Sequence, residues 1–248
     1  MCPCPFPCCG RRGFLLLLGS LLVYLLSAGG AEPSAKVPEG YRLLYEQKFD
    51  SAEALKSFVM TDPSAWQISG EGAASALELK KQSQYQPPVR SPVNIAMLAD
   101  RVFGDFILEA DLLQTSREYG HRDMCLFFGI TSPSKFYYVH MATAADDHAH
   151  NIFIVHDQPR TKIAKETTRG VDWGSQVWHK VRLERQGAVI KVFYDNMSQP
   201  IMQAEDATFQ SGYIGFGSFD DTGKIDNIRI WGRSAEKKKA DFFKAHSP

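Results

Sequence analysis

The sequence predicts an all-β fold, an antiparallel sandwich of two sheets, on three observations. Apolar and polar residues alternate along short runs instead of recurring every three to four residues. Turn residues separate those runs at intervals too short for the crossover helices that a parallel sheet requires. Beyond residues 1–31 no stretch holds a helical pattern for more than three turns, against an ordinary helix share of about a third.

The stretch from Trp178 to Trp231 shows this most plainly. Trp178-His179-Lys180-Val181-Arg182-Leu183-Glu184-Arg185 alternates apolar Val181 and Leu183 with charged neighbours. Gln186-Gly187 turns the chain into Ala188 to Asp195, a run rich in β-branched and aromatic residues. Tyr213 to Phe219 and Ile225 to Trp231 complete four strands joined by turns.

At the other end, residues 1–31 read as an export signal. Arg11 and Arg12 form a basic n-region, Phe14 to Leu26 an apolar core, and Ser27-Ala28-Gly29-Gly30-Ala31 a cleavage site, expected after Ala31. The apolar core is shorter than the roughly 20 residues a spanning helix needs, so the expectation is a secreted or periplasmic protein with no membrane attachment after cleavage, an uncleaved anchor being the alternative. Cys2, Cys4, Cys8 and Cys9 precede that core, leaving Cys125 alone in the mature chain. A lone cysteine excludes an internal disulfide framework, and in Met124-Cys125-Leu126-Phe127-Phe128 it reads as a small buried hydrophobe.

Removing Arg11 and Arg12 leaves 26 of the 28 basic residues against 28 acidic ones, a net charge of −2. With no basic stripe and no recognised binding motif, nucleic acid is excluded as a partner. No nucleotide-binding glycine loop or Gly-x-Ser-x-Gly elbow is present, so no organic cofactor is expected. Oligomeric state is not legible. The chain divides into a lead-in over 32–40, a single domain over 41–232 and a polar C-terminal tail over 233–248 containing Lys237-Lys238-Lys239.

Within the domain, Leu43 to Asp50 is the first strand, and Ser51 to Phe58 a short helical turn that Ser51 caps. Trp66 to Ile68 and Leu77 to Leu79 are short strands; the prolines between Gln84 and Pro92 make that segment a loop. Val93 to Leu98, Phe106 to Leu113, Met124 to Ile130, Phe136 to Met141, Asn151 to Asp157 and Thr161 to Ala164 follow, giving about twelve to fourteen strands in all.

W-H-x-V-R-L-x-R, G-x-x-I-K-V-F-Y-D, G-Y-I-G-F-G-S-F-D-D-T-G and D-N-I-R-I-W-G in the C-terminal third resemble the end of a concanavalin A-like jelly roll. The chain is similar to laminin G-like domains and to the secreted bacterial domains named 3-keto-disaccharide hydrolases. The resemblance implies a jelly-roll sandwich and three functional readings: carbohydrate recognition, glycoside hydrolysis, or laminin G-like protein binding. It also implies calcium on the convex face, tying an early carboxylate, matched by Glu46, to one in the last strand, matched by Asp226.

Five of the seven histidines, His121, His140, His148, His150 and His156, fall within one polar segment. Alternation places Tyr138 and His140 on one strand face, expected to look onto a groove, with Asp147, His148 and His150 at its edge. Aromatic faces stack on sugar rings, while Asp, Asn, Arg and His select hydroxyls. The candidate ligand-binding residues are therefore His121, Arg122, Asp123, Tyr138, His150, Asn151, His156 and Arg160. If catalysis occurs, His140, Asp147 and His148 are the candidate acid or base groups, since imidazole titrates near neutrality. His148 and His150, two apart, would share a face on a strand and so form half of a zinc site. Retaining glucanases of this fold carry E-x-D-x-x-E; Glu109 and Asp111 match, but Gln114 stands where the second catalytic acid belongs.

Overall fold

Eighteen strands and three short 3-10 turns account for the regular structure of the computed structural model, which describes Met1 and residues 37–243. The export segment predicted over residues 1–31 lies, apart from Met1, outside the described residues, as do its four cysteines. In chain order the strands are β1 (Arg42–Gln47), β2 (Phe58–Met60), β3 (Trp66–Ser69), β4 (Ala76–Leu79), β5 (Asn94–Leu98), β6 (Arg101–Phe103), β7 (Phe106–Gln114), β8 (Asp123–Ser132) and β9 (Lys135–Ala142). They continue as β10 (Asn151–His156), β11 (Thr161–Lys162), β12 (Ala164–Thr167), β13 (Trp178–Gln186), β14 (Val189–Tyr194), β15 (Met202–Glu205), β16 (Tyr213–Ser218), β17 (Gly223–Gly232) and β18 (Ala235–Lys237).

One sheet has nine strands, ordered β12-β15-β14-β13-β7-β17-β4-β3 with β1 also on β17; the other has seven, ordered β11-β10-β9-β8-β16-β5-β2. The long-range pairings β7–β17 and β8–β16 close a Greek-key jelly roll, as the alternation pattern predicts. Between the sheets, Leu108, Ala110 and Leu112 of β7 join Val181 and Leu183 of β13 in one core with Leu126, Phe128, Val139 and Phe216 of the opposite sheet. Each of the Val, Leu and Phe side chains here, fully withdrawn from water, contributes about 1.5–3 kcal/mol of transfer free energy.

The seven-stranded sheet is covered on its reverse face too. Cys125, Phe127, Tyr138 and Phe153 alternate with the inner-core residues and form a second apolar cluster with Ile95, Met97 and Tyr213. Tyr85 and Val89 of the proline-rich loop pack onto it, and so do Ala240, Phe242 and Phe243 from beyond β18. This changes two expectations. Tyr138 and His140 do share a face, yet that face is no open groove: Tyr138 is fully buried and His140 is 3% exposed. The folded chain also runs past Gly232, where the sequence places a polar tail, because β18 pairs with β6 and Ala240 N–H donates to Ala99 O at 2.8 Å. The lysines hid a following Ala-x-Phe-Phe anchor, Ala240 to Phe243.

The predicted turn after β1 is a 3-10 segment, Ala52–Ser57, and Ser51 contributes no side-chain cap. In the next such turn, Pro63–Ala65, Asp62 does cap, Oδ1 accepting from Ser64 N–H at 2.9 Å.

Candidate functional site

The pairing of β8 with β9 builds the floor of the site. Asp123 and Cys125 stand two apart on β8, so both side chains leave the same face. His140 lies directly opposite Cys125 on β9, which brings the imidazole onto that face as well. Asp123 Oδ2 accepts from the Cys125 thiol at 3.0 Å and lies 3.3 Å from His140 Nε2. The His140 contact is an ion pair when the imidazole is protonated, and neither ring nitrogen has a hydrogen-bond partner of good geometry. Phe153, Tyr138 and Phe219 surround the imidazole with centroids 6.0–6.2 Å away.

Loops from five stretches rise over this floor around a pocket of about 160 Å³. Arg90 comes from the proline-rich loop, Tyr119 and His121 from the loop before β8, His148 and Arg160 from those flanking β10, and Phe219 and Asp220 from the β16–β17 connection; His140 forms the base. Arg160 N–H donates to Arg90 O at 3.2 Å, and its Nη2 donates to His148 O at 2.9 Å. Its guanidinium also stacks 4.0 Å above the Phe219 ring, leaving Nη1 buried without a partner. The backbone at Gly170 packs tightly against the start of the His148 loop. At φ 145° it lies so close to Thr143 that a β-carbon would come within 1.9 Å of that carbonyl oxygen.

Three carboxylates gather at the pocket, Asp220 in its lining and Asp123 and Asp221 buried behind it. Asp221 Oδ2 accepts from Tyr119 Oη–H at 2.8 Å and from the Asp123 backbone N–H at 2.9 Å. Burial, and then the charge of Asp123, push Asp221 up to about 6 and raise Asp220 as well. Burial opposes ionisation of Asp123 too, but His140, the Cys125 thiol and Phe219 N–H outweigh it and hold that carboxyl below its usual value. Burial, with the adjacent Asp123 charge, drives the Cys125 thiol well up, as befits a packed thiol and not a free nucleophile.

Of the residues singled out from the sequence, His121, His140, His148 and Arg160 meet at the pocket, and Asp123 and Tyr138 lie beneath it. The others go elsewhere. Arg122 is buried, its Nε donating to Gln114 Oε1 at 2.6 Å. His150 is fully buried in left-handed backbone at φ 51°, its Nε2 2.9 Å from Thr168 Oγ1. Because Asp146 to His150 is loop and not strand, His148 and His150 do not form the one-faced pair expected of a strand. Asn151 Oδ1 accepts from Ala164 N–H, His156 packs edge-on against Phe209, and exposed Asp147 pairs with Lys162.

Arg90, Tyr119, Phe219, Asp220 and Asp221 were not singled out from the sequence. The Phe219-Asp220-Asp221 run was visible within the G-F-G-S-F-D-D-T-G motif, but its role depends on β16 pairing with β8 across nearly a hundred residues.

The glucanase-like trio also separates. Glu109 is buried against Arg182 at 2.8 Å, and Asp111 binds Lys180 and the Asn227 amide. Gln114 projects to the opposite face, where it receives Arg122. At the expected calcium position, Glu46 instead accepts from Arg229 at 2.9 Å. Asp226 sits at a β-bulge with Oδ1 buried and without a hydrogen-bond partner; burial and the charges of Asp111 and Asp50 raise its pKa.

These sheets and this topology define an antiparallel two-sheet jelly roll of the concanavalin A-like class. Solved structures agree. A carbohydrate binding module, CBM66, from Bacillus subtilis superposes with TM-score 0.53 at 16% identity, covering 71% of this chain and 96% of that one. A Bacillus subtilis protein of unknown function with a galectin-like fold gives 0.52 at 14% identity, covering 80% and 100%. A GH43 protein from Bacillus licheniformis gives 0.51 at 12%, covering 80% of this chain but 40% of that one. At such identities the likeness is one of fold. No protein-family profile matches the sequence, and no curated protein matches it.

Proposed function

We propose that this chain is an exported carbohydrate-recognition domain that takes a sugar ring into the pocket above His140. The observation that carries the reading is convergence: Arg90, His121, His148, Arg160 and Asp220 reach one small pocket beside the Phe219 ring from segments far apart in sequence. Directed donors and acceptors next to an aromatic surface are the chemistry a polyhydroxylated ring requires. At about 160 Å³ the pocket is smaller than the roughly 300–1,000 Å³ of drug-sized sites, which suits the end of a glycan. Sharing a fold with a carbohydrate binding module supports the reading, and the sequence of residues 1–31 supports export.

A hydrolase is the second reading, favoured by one observation. Asp220 lines the pocket with its carboxyl held above the usual range, beside Asp123 held below it, an arrangement that separates an acid from a base. A glycan array followed by incubation of each hit with the protein decides between them. Binding without released sugar, weakened about tenfold or more in Arg160→Ala, is the expected result. Released sugar that disappears in Asp220→Asn establishes the hydrolase. The absence of any glycan hit leaves a laminin G-like protein-binding role and overturns the proposal.

A further inference from the structure

Beneath the pocket, the three side chains that strand geometry aligns carry a donor set no sugar-binding role requires. The ligand atoms of Asp123, Cys125 and His140 all lie within 4.8 Å of one another. Asp123 and Cys125 have no exposure and His140 has 3%, and both ring nitrogens of that buried imidazole lack a hydrogen bond. Leaving buried ring nitrogens without a hydrogen bond is costly, and an arrangement serving only packing would avoid it.

We propose that Asp123 Oδ2, Cys125 Sγ and His140 Nε2 bind a divalent ion of the zinc class, with the fourth position opening toward the pocket. Tetrahedral bonds of about 2.0–2.3 Å to nitrogen, oxygen and sulfur set ligand-to-ligand edges of about 3.3–3.7 Å. The Asp123–His140 separation of 3.3 Å meets that range, and the Asp123–Cys125 separation of 3.0 Å needs a shift of a few tenths of an ångström. Thiolate and imidazole select zinc over calcium, which wants six to eight oxygens and would leave sulfur and nitrogen unused.

Binding requires the thiol to lose its proton to solvent as the Sγ–metal bond forms. The ion's own charge drives that loss despite the burial that now holds the proton on. Arg160 faces Cys125 and opposes a cation there; Asp220 and Asp221, each close to Asp123, offset it. Asp221, already bonded to the Asp123 backbone and Tyr119, orients the Asp123 strand end from outside the ligand set. The ion stands whether or not the pocket takes a sugar.

Cobalt(II) titration of the full chain carrying Cys2→Ser, Cys4→Ser, Cys8→Ser and Cys9→Ser tests this, because Cys125 is then the sole thiol. The expected result is one equivalent bound, an intense ultraviolet thiolate-to-cobalt charge-transfer band, four-coordinate visible absorption, and loss of both on adding zinc. Cys125→Ser should abolish the charge-transfer band, and His140→Ala should weaken binding by at least about tenfold. The β signal in circular dichroism, retained by the near-isosteric Cys125→Ser, separates lost ligation from lost fold. No stoichiometric cobalt, a charge-transfer band that survives in Cys125→Ser, or a protein that responds to calcium alone overturns the proposal.

Discussion

His150 shows how one residue type can serve opposite ends within a few positions. His148 lines the pocket, whereas His150 is buried, and burial, with the nearby charge of His140, pushes its pKa from 6.5 down to about 4. The unfolded chain takes up a proton here near pH 6.5 and the folded chain only near pH 4. Stability from the neutral imidazole is therefore complete above about pH 6.5 and lost as pH falls toward 4, on the order of 3 kcal/mol in total. Asp221 works the other way: raised to about 6, it gains a proton more readily folded than unfolded, so its contribution rises as pH falls. The His150 effect is thus read as a difference between proteins. Urea midpoints at pH 7 and 4.5 should fall further in wild type than in His150→Gln, and equal falls refute the assignment. At this scale the sequence marked Asp123, His140 and His148 through their polarity. It read Cys125 as a small buried hydrophobe, and the thiol is fully buried in the apolar cluster beneath the pocket.

At the scale of elements, the β1–β17 pair bears on the predicted calcium clasp. The register places Glu46 opposite Arg229, and the two form a solvent-exposed ion pair. The bulge at Asn227, in left-handed backbone at φ 49°, re-aims Asp226 into the neighbourhood of Asp50 and Asp111. We propose that any calcium on this face is held through Asp226, whose buried Oδ1 has no hydrogen-bond partner. Millimolar calcium should then raise the melting temperature of wild type and of Glu46→Gln but not of Asp226→Ala. A melting curve that is identical in calcium and in chelator removes the ion from this face; loss of the rise in Glu46→Gln restores the clasp. Elements with strong alternation, such as β7, β9 and β13, were legible from sequence. β2, β6, β15 and β18 were not, since each is only three or four residues long and has little pattern apart from its partner.

For the molecule as a whole, the reverse face of the seven-stranded sheet is closed by the segment that the sequence assigned to a solvated tail. Phe243 packs edge-on against Tyr85 at 5.7 Å, and Phe242 against Tyr213 at 5.7 Å. Deleting residues 235–248 should uncover this aromatic cluster, lowering the melting temperature by several degrees and raising binding of a hydrophobic dye. Unchanged melting and dye binding would show that the segment is dispensable. By itself the sequence determined the fold class and the inner core, because period-two alternation and turn residues are local and survive without partners. It also marked the region of the site, where histidines and acids concentrate. Only the tertiary structure decided which of them meet. Cys125 faces His140 through β8–β9 register, and Asp220 and Asp221 arrive through β16–β8 pairing. Convergence of that kind is a property of register between distant strands, which no single stretch of chain encodes.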